Sequence, residues 1–324
     1  MKAIQFNEYG KPDVLRVVDV PVPPLKEGGV LIKVKAAGVN FADTARRYGQ
    51  YLAKTPLPYI PGAEVAGIVA EVSPEVTSFK PGDRVVALTE DGGYAEIASL
   101  DQSQLVKIPD QVDFNQAASI LGQGLSAYHI LKTSGQIKKG ETVLVHAAAG
   151  GVGTLAVQLA KLMGAGAVIA TASSSEKLKL AASLGADEGI NYTEDNWHKK
   201  VLSSTGGKGA DIILEMVGGD IFKNSLKCMA PNGRLVIYGR AGGKETLFDP
   251  AVLMQRNISV VGFWLVHILK NPQLYKESVE ELLHYIGEGK LQLVIGGALP
   301  LEEAKRAHEL LEGRMTKGKL VLNP

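Results

Sequence analysis

Val143-Leu-Val-His-Ala-Ala-Ala-Gly-Gly-Val-Gly153 is the stretch that decides the fold of this chain. The apolar run Thr142 to Ala147 reads as a buried strand, and Thr154 to Met163 as the helix that follows it. Between them, Ala148-Ala149-Gly150-Gly151-Val152-Gly153 fits G-x-G-x-x-G with alanine at its first position. Glycines here permit a tight bend and leave no side chain between backbone and ligand, while the helix N-terminus offers free N–H groups to a pyrophosphate. The strand before and the helix after are the context this pattern requires. A tight strand–helix turn of any α/β protein is the plainer reading, and three glycines within four positions weigh against it.

The alternation continues on both sides of that turn. Strands are expected at Thr142–Ala147, Ala167–Thr171, Glu188–Asn191, Ile212–Met216, Arg234–Tyr238 and Ile258–Val261, with helices such as Thr154–Met163 and Ser175–Leu184 between several of them. Six strands joined by crossovers predict a doubly wound parallel sheet, an α/β architecture of the Rossmann type. Upstream the texture differs. Val14–Val20, Val30–Ala36, Val65–Val72 and Arg84–Ala87 are short valine-rich runs separated by Pro/Gly turns, the pattern of a small β-barrel. Phe41 to Arg47 reads as a helical turn, and Asp113 to Leu121 as a helix leading to the Gly122-Gln-Gly124 break. Downstream come an amphipathic helix at Asn271–Glu288, a β-like Leu291–Ile295, a helix at Leu301–Leu311 and a last strand at Lys319–Leu322. That tail is too small to bury a core alone, so it is expected to pack on the first domain. The expected domains are therefore 1–123 with 263–324, and 124–262.

Composition bounds the function. The chain has 324 residues, suited to two domains, with 45% hydrophobic and 21% charged residues. A formal net charge of +1 provides no bulk field for nucleic acid or an anionic membrane. The lone Cys228 excludes an intrachain disulfide framework and a thiolate zinc cluster, and fits a reducing compartment. Met1-Lys-Ala-Ile-Gln-Phe reads as a strand rather than a signal peptide, and Ile258 to Leu269 is too short to span a bilayer. A cytoplasmic protein is expected.

The second strand of the nucleotide-binding pattern ends in Thr171-Ala-Ser-Ser-Ser-Glu-Lys177. An acidic residue at this strand end would bind a ribose 2′-hydroxyl, whereas hydroxyls and cations suit a 2′-phosphate. Here the strand end carries no carboxylate. Ser173 and Ser174 offer hydroxyls and Lys177 a charge, so NADPH is favoured over NADH; either serine can also cap the following helix. Tyr192, one strand on, is placed to lie beside that phosphate or to be a half-buried ring at a strand end.

Gly38-Val-Asn-Phe-Ala-Asp43, Pro61-Gly-Ala-Glu-Val-Ala-Gly67, Phe79-Lys-Pro-Gly-Asp-Arg-Val85 and Gly92-Gly-Tyr-Ala-Glu96 precede the glycine turn. Ala170 to Lys177, Gly185-Ala-Asp-Glu-Gly-Ile-Asn-Tyr192 and Gly318-Lys-Leu-Val-Leu322 follow it. In this order and over essentially the whole chain, they resemble the medium-chain dehydrogenase/reductases, and among them the zinc-free quinone oxidoreductases of the zeta-crystallin-like group. The resemblance implies a GroES-like barrel beside the Rossmann sheet. Zinc-dependent relatives carry His before Glu where this chain has Ala63 and Glu64, and a cysteine near Gly38 where it offers Asn40 and Asp43. The six histidines show no metal-ligand spacing, and His146 reads as a core residue. No metal is expected. Without a Lewis acid an alkoxide is hard to stabilise, while a quinone or enone spreads the arriving charge.

The resemblance further implies that Asn40 and Ser126 stand near the nicotinamide and substrate, that Gly150, Gly151, Val152 and Gly153 cradle the pyrophosphate, and that Ser173, Lys177 and Tyr192 take the 2′-phosphate end. Tyr238, Gly239 and Arg240, with Phe263 and Trp264, would line the nicotinamide. Arg314, Lys317 and Lys319 fall in the segment that approaches the cofactor, or along a solvated edge. Family members place two tyrosines after Val-Asn; here Tyr51 remains and the earlier position is Ala45. Tyr51 is the candidate proton donor, or else a loop anchor.

The implied activity is NADPH-dependent hydride transfer to quinones or α,β-unsaturated carbonyls, in a cleft between the domains, with Asn40, Tyr51 and Ser126 as catalytic candidates. Two other readings stay open. One is an enoyl-thioester reductase, with Arg46 and Arg47 meeting a CoA tail; the other is an NADPH-binding structural or RNA-binding protein. Residues 257–264 can form an edge strand that pairs with a second copy, which predicts a homodimer.

Overall fold

The structure, a computed structural model, describes residues 1–243 and 245–324. The chain forms two compact units, Met1–Gly122 with Leu293–Pro324, and Gln123–Gln292.

The second unit is built on six strands in the order Glu188–Asn191, Ala167–Ala172, Thr142–Val145, Ala210–Glu215, Met229–Ile237 and Ser259–Gly262. Every neighbouring pair is parallel, as in Val143 opposite Val168 on one side and Ile212 on the other. A parallel sheet is covered on both faces, so its strands read as continuous apolar runs rather than alternating ones. Ala210–Glu215 shows this directly, being buried at all six positions. Chain order reverses between Thr142–Val145 and Ala210–Glu215, the place where open α/β sheets bind ligands at their carboxyl edge. Leu144, Ile169, Trp197, Phe222 and Leu235 form much of the core on one face. His146 is indeed a core residue: its Nδ1 meets Thr171 Oγ1 at 2.7 Å and its Nε2 meets Ser225 Oγ at 2.8 Å. Burial pushes its ring down to about 3, so it stays neutral.

The first unit carries a seven-stranded sheet in the order Ile295–Pro300, Lys319–Asn323, Gly29–Val39, Glu64–Val72, Arg84–Leu88, Leu105–Lys107, with Ile97–Asp101 branching onto Gly29–Val39. The long strand Gly29–Val39 organises it. Residues 29–33 pair with 97–101, residues 37–39 pair with 320–322, and its other edge holds Glu64–Val72. The C-terminal strand therefore lies beside the strand that runs into Asn40. Phe6, Tyr59, Tyr94, Val65 and Leu322 are among the residues of the core.

Several boundaries depart from the sequence expectations. Val14–Val20 is not one strand: Pro12 opens a short 3-10 helix, Pro12–Val14, and the strand is Arg16–Asp19. The helix expected from Thr154 starts at Gly151, so two glycines of the turn lie in its first turn. Leu291–Ile295 is not a strand either. The N–H of Leu291 closes onto Tyr285 O and that of Gln292 onto Gln158 Oε1, which leaves neither for a ladder; the strand begins at Ile295. The return expected at 263 comes at Leu293. Helix Pro272–Gly287 stays with the six-stranded parallel sheet because Glu281 accepts hydrogen bonds from Tyr128 and from Lys132.

Candidate active site

In the second unit the carboxyl ends of the parallel strands collect the residues expected at a dinucleotide. Ala147 takes a left-handed conformation, φ 49°, which turns the chain sharply off the first strand. Gly150 then caps the helix Gly151–Leu162. A Cβ on Gly153 would lie 2.3 Å from Ala147 O and 2.7 Å from Ala148 Cα, so this glycine lets helix and strand touch. The three atoms nearest a Cβ on Gly151 would all belong to the carboxamide of Gln123, at 2.1 to 2.3 Å. What lies closest over this helix N-terminus is thus one flexible side chain, which an incoming phosphate could displace.

Ser173, Ser174 and Lys177 follow the end of strand Ala167–Ala172, and Tyr192 follows the parallel strand Glu188–Asn191 beside it. Ser174 is the helix cap, accepting the Lys177 N–H at 3.4 Å, so the capping role falls to it and not to Ser173. Tyr192 is half-buried against the core. Tyr238 and Gly239 leave strand Met229–Ile237, and burial raises the Tyr238 phenol. Phe263 donates its N–H to Ile237 O at 2.8 Å, and Trp264 meets His267 edge-on. Ser126 is half-buried in helix Leu125–His129.

The first unit holds a separate, denser constellation. Lys319 and Glu64 form an ion pair at 2.9 Å with both side chains 0% exposed. Lys319 Nζ also donates to Asn40 Oδ1 at 2.8 Å, and Asn40 Nδ2 donates to Gly38 O at 3.2 Å. Glu64 Oε1 accepts the N–H groups of Leu121 and Gly122, each at 2.9 Å. Of the two readings of Lys319, a cofactor contact or part of a solvated edge, the second fails: it is a buried cation whose ammonium is bound by Glu64 and Asn40. Glu64 had been noticed only for the histidine missing beside it; its pairing with a residue 255 positions away has no local signal.

Behind Asn40 a second network reaches into the core. Asp43 accepts the Asn40 N–H at 2.8 Å, the Gly62 N–H at 3.3 Å and the Tyr94 hydroxyl at 3.4 Å. Tyr94 Oη lies 3.2 Å from His308 Nε2, and His308 Nδ1 lies 2.9 Å from Arg47 Nη1. A guanidinium only donates, so Nδ1 must accept and Nε2 carries the proton. Polarity then runs one way, from Arg47 through His308 and Tyr94 to Asp43. Burial outweighs these donors and pushes the Asp43 carboxyl up to about 6, while burial and Arg47 together push His308 down to about 3. Arg47, which the thioester reading would set against a CoA tail, is fully buried and bound to Gly10 O, His308 and Glu312. Arg46 lies over the Tyr51 ring, 4.3 Å from its centroid, and Tyr51 is half-buried there.

The donor set around Asn40 does not fit zinc. Ala63 has no ligand atom, and an ammonium already sits on both Glu64 and Asn40. Among the described residues no group of three or more His, Cys, Asp or Glu side chains could hold a metal ion. Nor is any described helix long and apolar enough to cross a membrane.

Known proteins are similar to this chain in sequence and fold. Residues 26–110 match the alcohol dehydrogenase GroES-like domain and residues 151–284 the zinc-binding dehydrogenase family. A quinone oxidoreductase of Pseudomonas aeruginosa is 39% identical over 328 residues, covering 100% of this chain and 99% of that protein. Among solved structures, Escherichia coli quinone oxidoreductase complexed with NADPH superposes with a TM-score of 0.94 at 34% identity, covering 100% of both chains. A mycobacterial protein complexed with NADPH gives 0.94 at 40% identity, again over 100% of both.

Proposed function

Since the chain belongs to the medium-chain dehydrogenase/reductases, among the quinone oxidoreductases, we propose that it is an NADPH-dependent, zinc-independent reductase of quinones and α,β-unsaturated carbonyls. Its membership makes it an oxidoreductase; cofactor, acceptor class and freedom from metal are the proposal. The observation that carries it is the helix N-terminus at Gly150 and Gly151, whose nearest cover is the flexible Gln123 side chain, with Ser173 and Lys177 after the neighbouring strand. On this reading Gln123–Gln292 is the NADPH-binding unit, and Met1–Gly122 with Leu293–Pro324 carries the acceptor-side residues.

Gly150, Gly151 and Gly153 would hold the pyrophosphate through backbone N–H groups. Ser173, Lys177 and Tyr192 would hold the 2′-phosphate. Tyr238, Gly239, Phe263 and Trp264 would border the nicotinamide, with Ser126 on the same unit. When bound, the reduced nicotinamide supplies a hydride. Asn40 and Tyr51 then orient the acceptor, and Tyr51 is the candidate proton donor. Zinc independence draws support from the lysine ammonium held where a metal would need its donors. The enoyl-thioester alternative draws less support, because Arg47 is buried and Arg46 is stacked on Tyr51.

The test is stopped-flow absorbance of NADPH against a panel of quinones and enones, with crotonyl-CoA included and a zinc chelator in parallel. Turnover of quinones or enones, unchanged by chelator, is expected. Lys177→Ala should raise KM for NADPH by about tenfold, the worth of one charge-assisted contact, and barely change that for NADH. No NADPH consumption with any quinone or enone removes the proposal, and turnover of crotonyl-CoA alone replaces it with the thioester reading.

A homodimer is proposed on the same footing. Strand Ser259–Gly262 ends the parallel sheet, and its outer backbone edge is the surface a second copy would pair with. Leu247 and Met254, earlier in the same segment, are 72% and 74% exposed. Light scattering at micromolar concentration should give twice the chain mass; a monomer at that concentration ends the claim. We also place the protein in the cytoplasm, in keeping with its one, buried thiol; recovery from a secreted or membrane fraction would overturn this.

A further inference from the structure

Asn40 has two polar ends, and its neighbours decide which end faces where. Lys319 Nζ lies 2.8 Å from one of them. An ammonium donates and never accepts, so the carboxamide oxygen must face it. Nδ2 then donates one hydrogen to Gly38 O at 3.2 Å, which leaves its second hydrogen for another acceptor on this half-buried residue. The lysine reaches this point through space reserved for it. A Cβ on Gly38 would lie 2.7 Å from Lys319 Cε, 2.9 Å from Nζ and 2.5 Å from Ala118 O, so the glycine two residues before Asn40 keeps the path clear. Glu64 makes a charged lysine tolerable here: an unpaired buried ammonium is costly, and Glu64 Oε2 stands 2.9 Å away. The cation pulls electron density toward the carboxamide oxygen, which makes the opposite N–H a stronger donor, an effect a low-dielectric site enlarges.

We infer that Lys319 is a positioning residue that locks Asn40 as a fixed, polarised N–H donor for the oxygen of the hydride acceptor, with Glu64 as its counter-charge. The inference rests on the reductase reading above and deepens it. When a hydride reaches the acceptor, a C–H bond forms with its two electrons. The π pair of the quinone or enone moves onto oxygen, and a proton, given by Tyr51 on the reading above and replaced on it from solvent, later neutralises that oxygen. Asn40 Nδ2–H stabilises the developing oxyanion, and no bond to Asn40 or Lys319 is made or broken.

Lys319→Met alone strands Glu64 in the core, so the test uses Glu64→Gln with Lys319→Met, which removes both charges and keeps the volume. NADPH dissociation should stay within about twofold, and kcat for para-benzoquinone should fall by about tenfold or more, the range seen when one oxyanion donor is weakened. Asn40→Ala should cost as much, and the triple variant should lose nothing further, because the residues act through one donor. Lys319→Arg, which retains the charge, should restore at least a third of kcat. Heteronuclear NMR of asparagine-labelled protein supplies a readout independent of turnover. The Asn40 side-chain amide, assigned by its loss in Asn40→Ala, should shift in the charge-removed variant and hold in Lys319→Arg. An unchanged kcat, additive losses or an unmoved amide resonance overturns the inference. A moved resonance in a protein whose wild type consumes no NADPH with any quinone or enone overturns the reductase reading and the oxyanion role, and leaves only the lock.

Discussion

Gly153→Ala is expected to lose NADPH binding by about 100-fold and to lower the unfolding free energy by about 3 kcal/mol. A single methyl group is involved, and its position makes the difference. It would stand 2.3 Å from Ala147 O and 2.7 Å from Ala148 Cα, against backbone that is already committed to a left-handed turn at Ala147. Neither atom can step aside without moving the end of the first strand or the start of the helix, and the N–H groups aimed at a phosphate move with them. Gly151→Ala is the control. The atoms nearest its methyl all belong to the far end of Gln123, a side chain that can rotate away. Stability should then change by less than about 1 kcal/mol, and NADPH affinity by much less than in Gly153→Ala. Thermal unfolding and a fluorescence titration with NADPH separate the two, and equal losses at both glycines would contradict this account of the turn.

That turn was legible because its information is local. A strand, three glycines and a helix lie within about twenty residues, and each imposes its geometry on the next. The six strands of the parallel sheet were legible for a related reason, since burial on both faces makes each an apolar run. Ends were less legible. Leu291 looks like strand, yet its N–H finishes the preceding helix on Tyr285. The amphipathic pattern of Asn271–Glu288 shows that one face is covered but not by what; Tyr128 and Lys132, which bind Glu281, sit some 150 residues earlier. Strand Ile97–Asp101 escaped notice because it joins only the first half of Gly29–Val39, as a branch.

The constellation at Asn40 was half legible. Asn40 and Lys319 were each singled out, through resemblance, for a role at the cofactor. The 279 residues between them hid that one grips the other, and the burial of Lys319 follows only from the pairing of the C-terminal strand with Gly29–Val39. Asp43, Tyr94 and His308 carry no motif that links them. His308 lies on a helix, Ala304–Glu312, whose sequence shows an apolar face and nothing of the arginine it serves.

Arg46 and Arg47 stand side by side, and exchanging each for an uncharged residue should give opposite results. Arg47→Met is expected to cost about 3 to 5 kcal/mol, the range for removing one partner of a buried charge pair. The Arg47 side chain is 0% exposed, and it satisfies Gly10 O, His308 Nδ1 and the Glu312 carboxylate together. Methionine fills the volume and satisfies none of them. The loss also releases the direction of the network, because His308 no longer needs to place its proton on Nε2 and Tyr94 no longer needs to donate to Asp43. The network has a pH signature. Asp43 titrates near 6 in the folded protein and near 3.9 when unfolded, so between those values the folded state holds a proton that the unfolded state has lost. Stability from this group is full below about pH 4 and declines as pH rises toward and through 6, by an amount on the order of 3 kcal/mol. Asp43→Asn should flatten that stretch of the stability curve. Arg46→Ala breaks none of the network's hydrogen bonds, withdrawing only a charge that acts on Asp43 at longer range, and removes a cation from the face of the Tyr51 ring, at 4.3 Å. Its stability should fall by only about 1 kcal/mol, while kcat/KM for quinone falls severalfold as the Tyr51 ring loses its support. Urea unfolding of the three variants across pH 4 to 7, with turnover measured on the same preparations, decides the matter. A mild Arg47→Met, or an Asp43→Asn curve parallel to wild type, would show that the buried chain from Arg47 to Asp43 does not hold Asn40 in place.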